Sequence, residues 1–580
     1  MQKPVSSSYA LLFAVLLAFP MHASIVSSAL TGRVTVNDKP AAGATVTIAL
    51  RAAKSIRTTT TNARGTYWIA ALSPGIYDVT FERPGLTSLT RPVTIELGRV
   101  ARADGKLEVS DDEESVTSTA ITVSVANTTA ITTHFSADEL ERIPLRRDVK
   151  TAETLSPVLP FNEVIVDDTV MFHPTLLGEE ALDETTVVRG AQAIELGRFG
   201  SSVILARTRS GRDDLFLSLR DTYYSGDDGS HVVEGAAGGA AVRDRLWFFG
   251  SGWGGNAADL RVRDLRGITA KLTAQASESH HLAATHTDAR AKLSLLEIAT
   301  TTSALRYTGV FDQKLTAEAV MSRADADAPQ LRDDVVSARV SYRAADHVVS
   351  IGGDRGTLTD VDAYFLSDRW ASGRWTVDAG IRWEDERTLT RVAFAFDLRS
   401  EQGSHAVVAS WGEYLEAPRA QSTGSAPQVL RVASIGYTSS LESSGTARID
   451  LFRYEGARRM DQVQTDVRYR LFDRFEAGGS YVYTRTGQHA LFAEEIPEHL
   501  VSAHVGVQLP LAGREFSAMA LERYDATNWI TDLGIRYEIP IRRVTVTLAG
   551  DATNVFNAKE SGGTLQPLPR AYRFWIRARL

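Results

Sequence analysis

The sequence predicts a mainly β protein: a transmembrane barrel of about 22 antiparallel strands, with a small α+β plug and an N-terminal Ig-like β-sandwich. Three observations predict this fold class. The last ten residues, 571–580, alternate between an apolar row and an arginine-bearing row. Similar alternating segments, separated by turn residues, recur from residue 213 onward. Outside the N-terminus the chain has no apolar run long enough for a membrane-spanning helix.

The final segment shows the alternation most clearly. Its apolar row consists of Tyr572, Phe574, Ile576, Ala578 and Leu580, and its other row of Arg573, Trp575, Arg577 and Arg579. Because side chains alternate between the two faces of a strand, one row can contact lipid and the other the lumen. We expect this segment to be the barrel-closing strand, with Tyr572, Phe574, Ile576 and Leu580 on its lipid face. It would pair with the first strand, near residues 213–224, and so remove the open sheet edge.

Length and composition set broad limits. A chain of 580 residues is too long for one ordinary domain. Its net charge of -8 is spread along the sequence, which argues against a nucleic-acid partner. Cysteine is absent, which excludes disulfide frameworks, thiolate metal sites and cysteine nucleophiles.

Residues 1–23 are predicted to be a secretory signal peptide. Lys3 precedes an apolar run over residues 9–19, which is too short to span a membrane comfortably. We therefore expect the protein to be exported.

Residues 29–109 contain roughly seven short strands with turn signals between them, a pattern typical of a β-sandwich. Four stretches, 32–34, 43–46, 62–67 and 72–77, resemble the carboxypeptidase regulatory-like domain, a carbohydrate-binding-like sandwich. The resemblance implies a non-catalytic appendage. A spacer role and a glycan-binding role both remain open.

Residues 110–135 are predicted to be a linker. An acidic run at 110–115 is followed by a short β-prone stretch at 120–126. A strand-forming segment on a flexible tether can add itself to the sheet edge of another protein. The residues proposed for this contact are Ile121, Thr122, Val123, Ser124 and Val125.

Residues 136–212 form a compact module. Ser136 and Glu139 have the spacing of a capping box, which predicts a helix through Glu141, and a second helix is expected over residues 143–147. The stretches 195–200 and 203–211, with the stretch 143–147 before them, resemble the plug domain of TonB-dependent receptors, in the Oar-like branch that also carries the regulatory-like sandwich. The matching motif residues are Glu195, Gly197, Arg198, Gly200, Thr208, Ser210 and Gly211.

The chain departs from the plug pattern in two places. Ser201 and Ser202 stand where paired glycines are usual, and the segment between residues 160 and 187 is shorter than in the usual plug. Glycines 197 and 200 are expected to permit tight turns, and Arg198 to pair with a carboxylate in the lumen.

The resemblance implies a TonB-dependent transporter whose box, residues 121–125, binds a TonB-like energy-transducing protein. The expected location is the cell outer membrane, with the sandwich in the periplasm and the barrel, residues 213–580, as a monomer. Its other expected partners are outer-membrane lipid, the barrel assembly machinery and an unknown substrate, for which carbohydrate and peptide are considered. A non-transporting structural or adhesion protein and a porin-like channel are the alternatives.

No catalytic residue, metal site or cofactor is expected, and the protein is not predicted to be an enzyme. His280, His281 and His286 lie close together, but adjacent strand residues face opposite ways, which favours a hairpin tip over a metal site. Two groups of aromatic residues are expected to form the interfacial girdle: Trp247, Phe248, Phe249 and Trp253, and Trp370, Trp375 and Trp383. Arg339, Arg382, Asp532 and Arg536 are expected to line a wet lumen.

Overall fold

The computed structural model describes residues 28–580 with several gaps. The gaps are 51–55, 73–74, 96–99, 109–128, 157–162, 191–193, 197–201, 226–229, 244, 258–261, 278, 294–295, 312–313, 328–329, 358–360, 385, 399–404, 417–427, 442–444, 457–458, 472–473, 487–497, 512–513, 525–527 and 557–569. The predicted signal peptide, the proposed box at 121–125, and Gly197, Arg198 and Gly200 lie outside the described residues.

The N-terminal domain is a sandwich of two sheets. Its strands are β1 (Ser28–Val36), β2 (Lys39–Pro40), β3 (Thr45–Leu50), β4 (Ile56–Thr60), β5 (Thr66–Leu72), β6 (Gly75–Glu82), β7 (Leu89–Ile95), β8 (Val100–Arg102) and β9 (Gly105–Leu107). β1 pairs with β2, β5, β8 and β9, while the second sheet has the order β4-β3-β6-β7. The sheets enclose an apolar core that includes Leu30, Val46 and Phe81. The described part of this domain has nine strands, whereas roughly seven were predicted. The additional strands are short: β2, β8 and β9 are only two or three residues long.

The plug combines one small sheet with two short helices. Its strands are β10 (Ile131–Ser136), β11 (Glu163–Val166), β12 (Thr169–Val170), β13 (Leu182–Arg189) and β14 (Ser202–Thr208), in the order β10-β13-β14-β11-β12. Helix α1 (Ala137–Arg142) begins at Ser136, and the predicted capping box with Glu139 is present. The predicted helix over 143–147 is wrong, since helix α2 (Val149–Leu155) begins only after its N-cap Asp148. Single 3-10 turns lie at Pro174–Leu176 and Ile194–Leu196.

The rest of the chain is a closed antiparallel barrel of 22 strands in sequence order, which confirms the predicted fold class. Its strands are β15 (Phe216–Tyr224), β16 (Ser230–Val242), β17 (Leu246–Ala257), β18 (Val262–Ser277), β19 (His280–Leu293), β20 (Leu296–Phe311), β21 (Leu315–Asp327), β22 (Gln330–Ala344), β23 (His347–Gly356), β24 (Val361–Ser372), β25 (Trp375–Glu384), β26 (Arg387–Asp397), β27 (His405–Glu416), β28 (Gln428–Leu441), β29 (Gly445–Glu455), β30 (Arg459–Leu471), β31 (Phe475–Thr486), β32 (His499–Leu511), β33 (Arg514–Tyr524), β34 (Trp529–Ile541), β35 (Val544–Thr553) and β36 (Ala571–Arg579). β36 pairs with β15, so the sheet has no open edge.

Alternation sorts the barrel side chains into an apolar exterior and a packed interior. On β36 the side chain of Phe574 is 53% exposed, whereas that of Trp575 is 3% exposed. Large apolar side chains are exposed in the same way all around the barrel, for example Leu219, Leu305 and Ile351. An apolar belt of this kind matches the hydrocarbon core of the outer membrane, in which the barrel lies. Among the described residues no helix is both long and apolar enough to cross a membrane.

The two ends of the barrel differ in the length of their strand connections. At the end where the chain enters and leaves the barrel, most connections are very short, such as residues 345–346 and 373–374. The opposite end carries the longest connections, at 417–427, 487–498 and 554–570. Short turns face the periplasm in barrels of this type, so the entry end is the periplasmic one. The sandwich lies at this end, where Trp68 stacks on His281 with 3.9 Å between ring centroids.

Several aromatic and charged residues lie differently from the sequence-based expectation. Phe249 and Trp253 are buried inside the barrel rather than placed in an interfacial girdle, whereas Trp375 and Trp383 are exposed on the exterior. His281 is buried beneath Trp68, although a hairpin tip was expected to be exposed. The inward residues Arg339, Arg382, Asp532 and Arg536 are buried in ion pairs and do not line a wet channel.

The exterior belt leads to a test of the barrel's orientation in lipid. Ile351 is 55% exposed near the middle of β23, so Ile351→Arg would place a charge in the hydrocarbon core. We expect a loss of about 2–4 kcal/mol of barrel stability. The measurement is urea unfolding in liposomes, followed by the heat-modifiable shift in gel mobility. Asp327→Arg, at the end of β21, is the control and is expected to be close to neutral. Equal stability of both variants would contradict the placement of Ile351 in the hydrocarbon core.

Candidate plug-to-wall site

The plug is fastened to the barrel wall by a cluster of buried charges, which we call the seam cluster. From the plug it contains Glu141, Arg147, Glu179 and Glu180, and from the wall Arg220, Arg573, Trp575 and Arg577. The wall residues lie on β15 and β36, the two strands whose pairing closes the barrel. All eight side chains are buried.

Two arginines face each other across the seam. Arg220 on β15 and Arg577 on β36 are direct cross-strand partners. Like charges directly opposite each other destabilise a pair of strands. The plug supplies the opposite charge: the Glu141 carboxylate lies 2.5 Å from Arg577 Nη1, and Glu179 Oε2 lies 2.9 Å from Arg220 Nη2. The seated plug therefore neutralises the repulsion that its absence would leave at the closing seam.

Arg147 ties the plug carboxylates to one another. Its Nη1 lies 2.6 Å from Glu141 Oε2, and its Nη2 lies 3.2 Å from Glu180 Oε1. The same guanidinium donates to the carbonyl of Glu179. Because Arg147 directly follows the irregular stretch 143–146, the chain positions it between α1 and the turn at 179–180. Arg147 thus joins two plug segments at the place where both contact the wall.

Hydrogen bonds from the wall also fix the plug backbone. Arg573 Nη2 donates to the carbonyl of Leu145 at 2.6 Å, and Arg536 Nη2 donates to that of Ile143 at 3.1 Å. Both arginines pair with Asp551 of β35. Each arginine can donate to a plug carbonyl and to Asp551 at the same time because a guanidinium carries five N–H groups. These contacts hold residues 143–145 in a non-helical path.

Trp575 lies at the centre of the wall side of the cluster. The guanidinium of Arg220 is 4.1 Å from the centroid of its rings, and those of Arg536 and Arg577 are 5.5 and 5.8 Å away. A cation over an aromatic face is stabilised by the ring quadrupole. Trp575 therefore lets three arginines approach one another on the lumen side of the seam.

The environment keeps the plug carboxylates ionised. Burial opposes ionisation of Glu141, but Arg577 and Arg147 outweigh it and lower the pKa of the carboxyl to about 2. Burial likewise opposes ionisation of Glu180 and Glu179, and the neighbouring arginines lower the pKa of both carboxyls, Arg147 first for Glu180 and Arg220 first for Glu179. The cluster is therefore a set of full charges near neutral pH.

Further polar contacts fasten the plug around the rest of the wall. Lys271 on β18 lies 2.9 Å from Asp167, and Arg306 on β20 lies 2.8 Å from Asp168. On the other side, Arg189 lies 3.3 Å from Asp466 on β30, and Arg142 of α1 lies 3.2 Å from Glu476 on β31. Together with the seam cluster, these ionic contacts lie on three parts of the barrel, so the short plug still reaches across the lumen.

Apolar packing also joins the plug to the wall, and its largest cluster lies mainly against β15–β20. Leu176 and Leu177 of the plug share a buried cluster with Trp253, Leu265 and other inward residues of β15–β20. Trp253 also packs directly on Gly178, where an added Cβ would lie 2.6 Å from its ring. The plug is therefore held by apolar contacts on this side and mainly by charges at the seam.

The predicted plug-motif residues that the structure describes are dispersed. Glu195 accepts a hydrogen bond from Ser367 of β24 at 2.9 Å. Thr208 ends β14, and its carbonyl accepts from Lys271 Nζ at 3.2 Å. Gly211 packs so closely on the wall that an added Cβ would lie 2.3 Å from the Phe248 carbonyl oxygen. Ser210 is partly buried beside it. These residues contact the wall at separate places between the plug and the first barrel strand, and they do not form one site.

The seam cluster was not predicted from the sequence. Arg573, Trp575 and Arg577 were expected on the inward row of the last strand, but their plug partners were not identified. Glu179 and Glu180 lie in a turn, where no periodic pattern marks them. Two consecutive carboxylates in a short plug were the available signal, since paired acids in a lumen need cations.

The sandwich adds charged contacts beneath the plug. Arg57 of β4 lies in electrostatic contact with Arg207, Asp183 and Glu184. Burial is the largest influence on it and, together with Arg207, lowers the pKa of the Arg57 guanidinium to about 10. Arg207 pairs with Asp183 at 2.5 Å. No group of three or more metal-ligating side chains occurs in the described part of the chain.

Comparisons with known proteins agree with this architecture. The family model of the carboxypeptidase regulatory-like domain matches residues 29–108. A comparison with curated proteins gives no match. Among solved structures, the siderophore receptor PirA from Pseudomonas aeruginosa is 12% identical with a TM-score of 0.63, covering 77% of this chain and 99% of that one. The ferric enterobactin receptor PfeA from Pseudomonas aeruginosa, solved as a mutant, is 10% identical with a TM-score of 0.64, covering 77% and 98%.

The alcaligin outer-membrane receptor FauA from Bordetella pertussis is 13% identical with a TM-score of 0.60, covering 79% of this chain and 96% of that one. Identities at this level establish a shared fold. The chain therefore has the fold of TonB-dependent outer-membrane receptors, preceded by a regulatory-like sandwich.

The seam cluster predicts a large effect from removing its central cation. Arg147→Ala would leave Glu141 and Glu180 buried with a missing partner, and we expect a loss of about 3–5 kcal/mol in plug stability. The measurement is urea-dependent proteolysis of the plug in the purified, detergent-solubilised protein. Arg323→Ala removes an exposed pair with Asp334 and is the control, with little expected change. Similar protease sensitivity of the two variants would contradict the role of Arg147.

The lowered pKa of Glu141 predicts an acid dependence of plug seating. A carboxyl whose pKa falls from 4.5 to about 2 on folding stabilises the folded state above pH 4.5. This contribution should decline as the pH falls from 4.5 toward 2. We expect the stability difference between the unaltered protein and Glu141→Gln to be constant from pH 7 to about 5 and to shrink below that. Thermal unfolding at several pH values measures it, and a pH-independent difference would refute the assignment.

Proposed function

We propose that the protein is a TonB-dependent outer-membrane transporter that moves a substrate into the periplasm. The single observation that carries the proposal is the seam cluster, in which a separate plug is held inside a closed barrel through paired charges. Ion pairs are non-covalent, so those between plug and wall can break and form again one at a time. A plug held in this way can be displaced and reseated.

The proposed mechanism starts from the box at residues 121–125. A TonB-like protein of the inner membrane pairs with this segment and pulls on the chain that leads into β10. β10 pairs directly with β13, so the force reaches the strand that follows the turn at Glu179 and Glu180. Separation of these carboxylates from Arg220 and Arg577 then loosens the plug. The substrate passes between plug and wall.

The substrate class is part of the proposal and not fixed by the fold. Solved receptors with this fold are described by the siderophores that they bind, such as enterobactin and alcaligin. Ferric siderophores therefore join carbohydrates and peptides as candidates for testing. The sandwich, next to Asp183 and Arg207, is placed to respond to plug movement.

One observation favours the non-transporting alternative, a structural or adhesion protein. At the outer end, only two residues separate β19 from β20, β21 from β22, and β25 from β26. Connections of this length leave little chain to extend over a ligand. A porin-like channel is less well supported, because the plug contacts the wall on many sides.

Deletion of residues 120–126 distinguishes transport from the alternatives. We expect the deletion to abolish both energy-dependent uptake and crosslinking to the TonB-like protein, because the strand that would be added to its sheet is lost. Uptake is measured in energised cells with labelled ferric enterobactin as the first probe, then with carbohydrate and peptide mixtures. Crosslinking uses a photoreactive group at position 127, which both the deletion and its control retain.

Deletion of residues 111–117, which has the same length and removes the acidic run, is the matched control and should leave crosslinking intact. Crosslinking that survives deletion of 120–126 would refute the box. A cell-surface defect without any change in uptake would instead support the structural alternative.

A further inference from the structure

An unusual row of residues crosses the lumen face of the barrel from β24 to β27. Ser367, Gly380, Arg391 and Gly412 are direct cross-strand partners in this order. Arg391 is therefore flanked by glycine on both neighbouring strands. The missing side chains leave its guanidinium as the only long group in the middle of the row.

Arg391 is buried and has no ion pair within the described part of the chain. Its side chain is 4% exposed, and its Nε and Nη1 have no hydrogen-bond partner. No carboxylate of the described residues lies within ion-pair distance of it. The other buried arginines that the structure describes, such as Arg339 and Arg382, each make at least one ion pair.

The surroundings of Arg391 define a small polar position between plug and wall. On the β25 side, Ile194 of the plug rests over Gly380, where an added Cβ would lie 2.6 Å from its Cγ2. On the β27 side, the Tyr414 hydroxyl lies over Gly412, 2.9 Å from the place of an added Cβ. Glu195, on the same plug turn as Ile194, is held by Ser367 at the end of the row. The plug turn therefore lies next to Arg391 in the row, over the neighbouring positions 367 and 380.

The chemistry of this position selects an anion. A buried guanidinium without a partner is unfavourable, and an anion that reaches it removes the penalty. Its planar fork of N–H donors matches the two oxygens of a carboxylate. We propose that Arg391 is an anion-binding position that receives a carboxylate group of the substrate as it passes between plug and wall. The passage rests on the proposed function, whereas the anion binding does not.

The test is thermal unfolding of the full-length, detergent-solubilised protein at constant ionic strength, with citrate, phosphate or neutral acetamide as probes. We expect citrate to raise the Tm in a saturable manner and acetamide to have no effect. Arg391→Gln should weaken the apparent affinity for citrate about tenfold or more. Arg355→Gln, which changes an exposed arginine on β23, is the control and should behave like the unaltered protein.

An absent citrate effect, an equal effect in Arg391→Gln, or a response to phosphate alone would overturn the proposal. If Arg391→Gln does not fold, Arg391→Lys keeps the charge and removes the fork. The affinity of Arg391→Lys for citrate should be reduced, and an unchanged affinity would overturn the assignment of Arg391 to a carboxylate. Deletion of residues 120–126 should leave citrate binding intact. A different outcome would separate the two proposals. If citrate binding depends on Arg391 but uptake is unchanged by the deletion, the transport proposal is refuted and the anion-binding position is retained.

Discussion

Charge pairing inside a closed lumen is the constraint on which the rest of the structure depends. Many charged side chains are buried between plug and wall, and a buried ion is costly without a partner of opposite charge. The demand is strongest at the closing seam, where Arg220 and Arg577 face each other. Neither strand provides enough negative charge there. Glu141, Glu179 and Glu180 of the plug provide it, so closure of the barrel and seating of the plug are aspects of one electrostatic fit.

The contacts of the plug toward β17 and β18 differ in kind from those at the seam. Toward β17 and β18 its leucines pack against Trp253 and Leu265, and such packing tolerates little displacement before cavities form. At the seam the contacts are charged and hydrogen-bonded, and ions that separate can be rehydrated by entering water. Water entry therefore lowers the cost of breaking the ionic side far more than that of the apolar side. We expect displacement to start at the seam and the apolar side to move last.

The sequence predicts the barrel well because strand alternation has a period of two and repeats 22 times. The same rule would have placed Phe249 and Trp253 inside, since they share their face with Ser251 and not with the exterior positions 248 and 250. Aromatic character alone suggested a girdle and was misleading. The helix expected over 143–147 fails for a tertiary reason, because the carbonyls of Ile143 and Leu145 accept from Arg536 and Arg573. Contacts of this kind carry no local signal, and the partners of Glu179 and Glu180 were missed for the same reason.

The short outer connections change where substrate recognition can lie. Residues 294–295 and 328–329 join long strands with almost no chain to spare, so β19–β22 cannot enclose a ligand from above. The longer connections at 417–427 and 487–498 follow β27 and β31, on the other side of the barrel. Arg391 on β26 lies beside the first of these strands, with its guanidinium toward the lumen. Substrate recognition would then be carried out here by inward side chains of the wall that lie next to the plug. In such an arrangement selection among substrates takes place during passage, and the plug and the wall act together as the recognition surface.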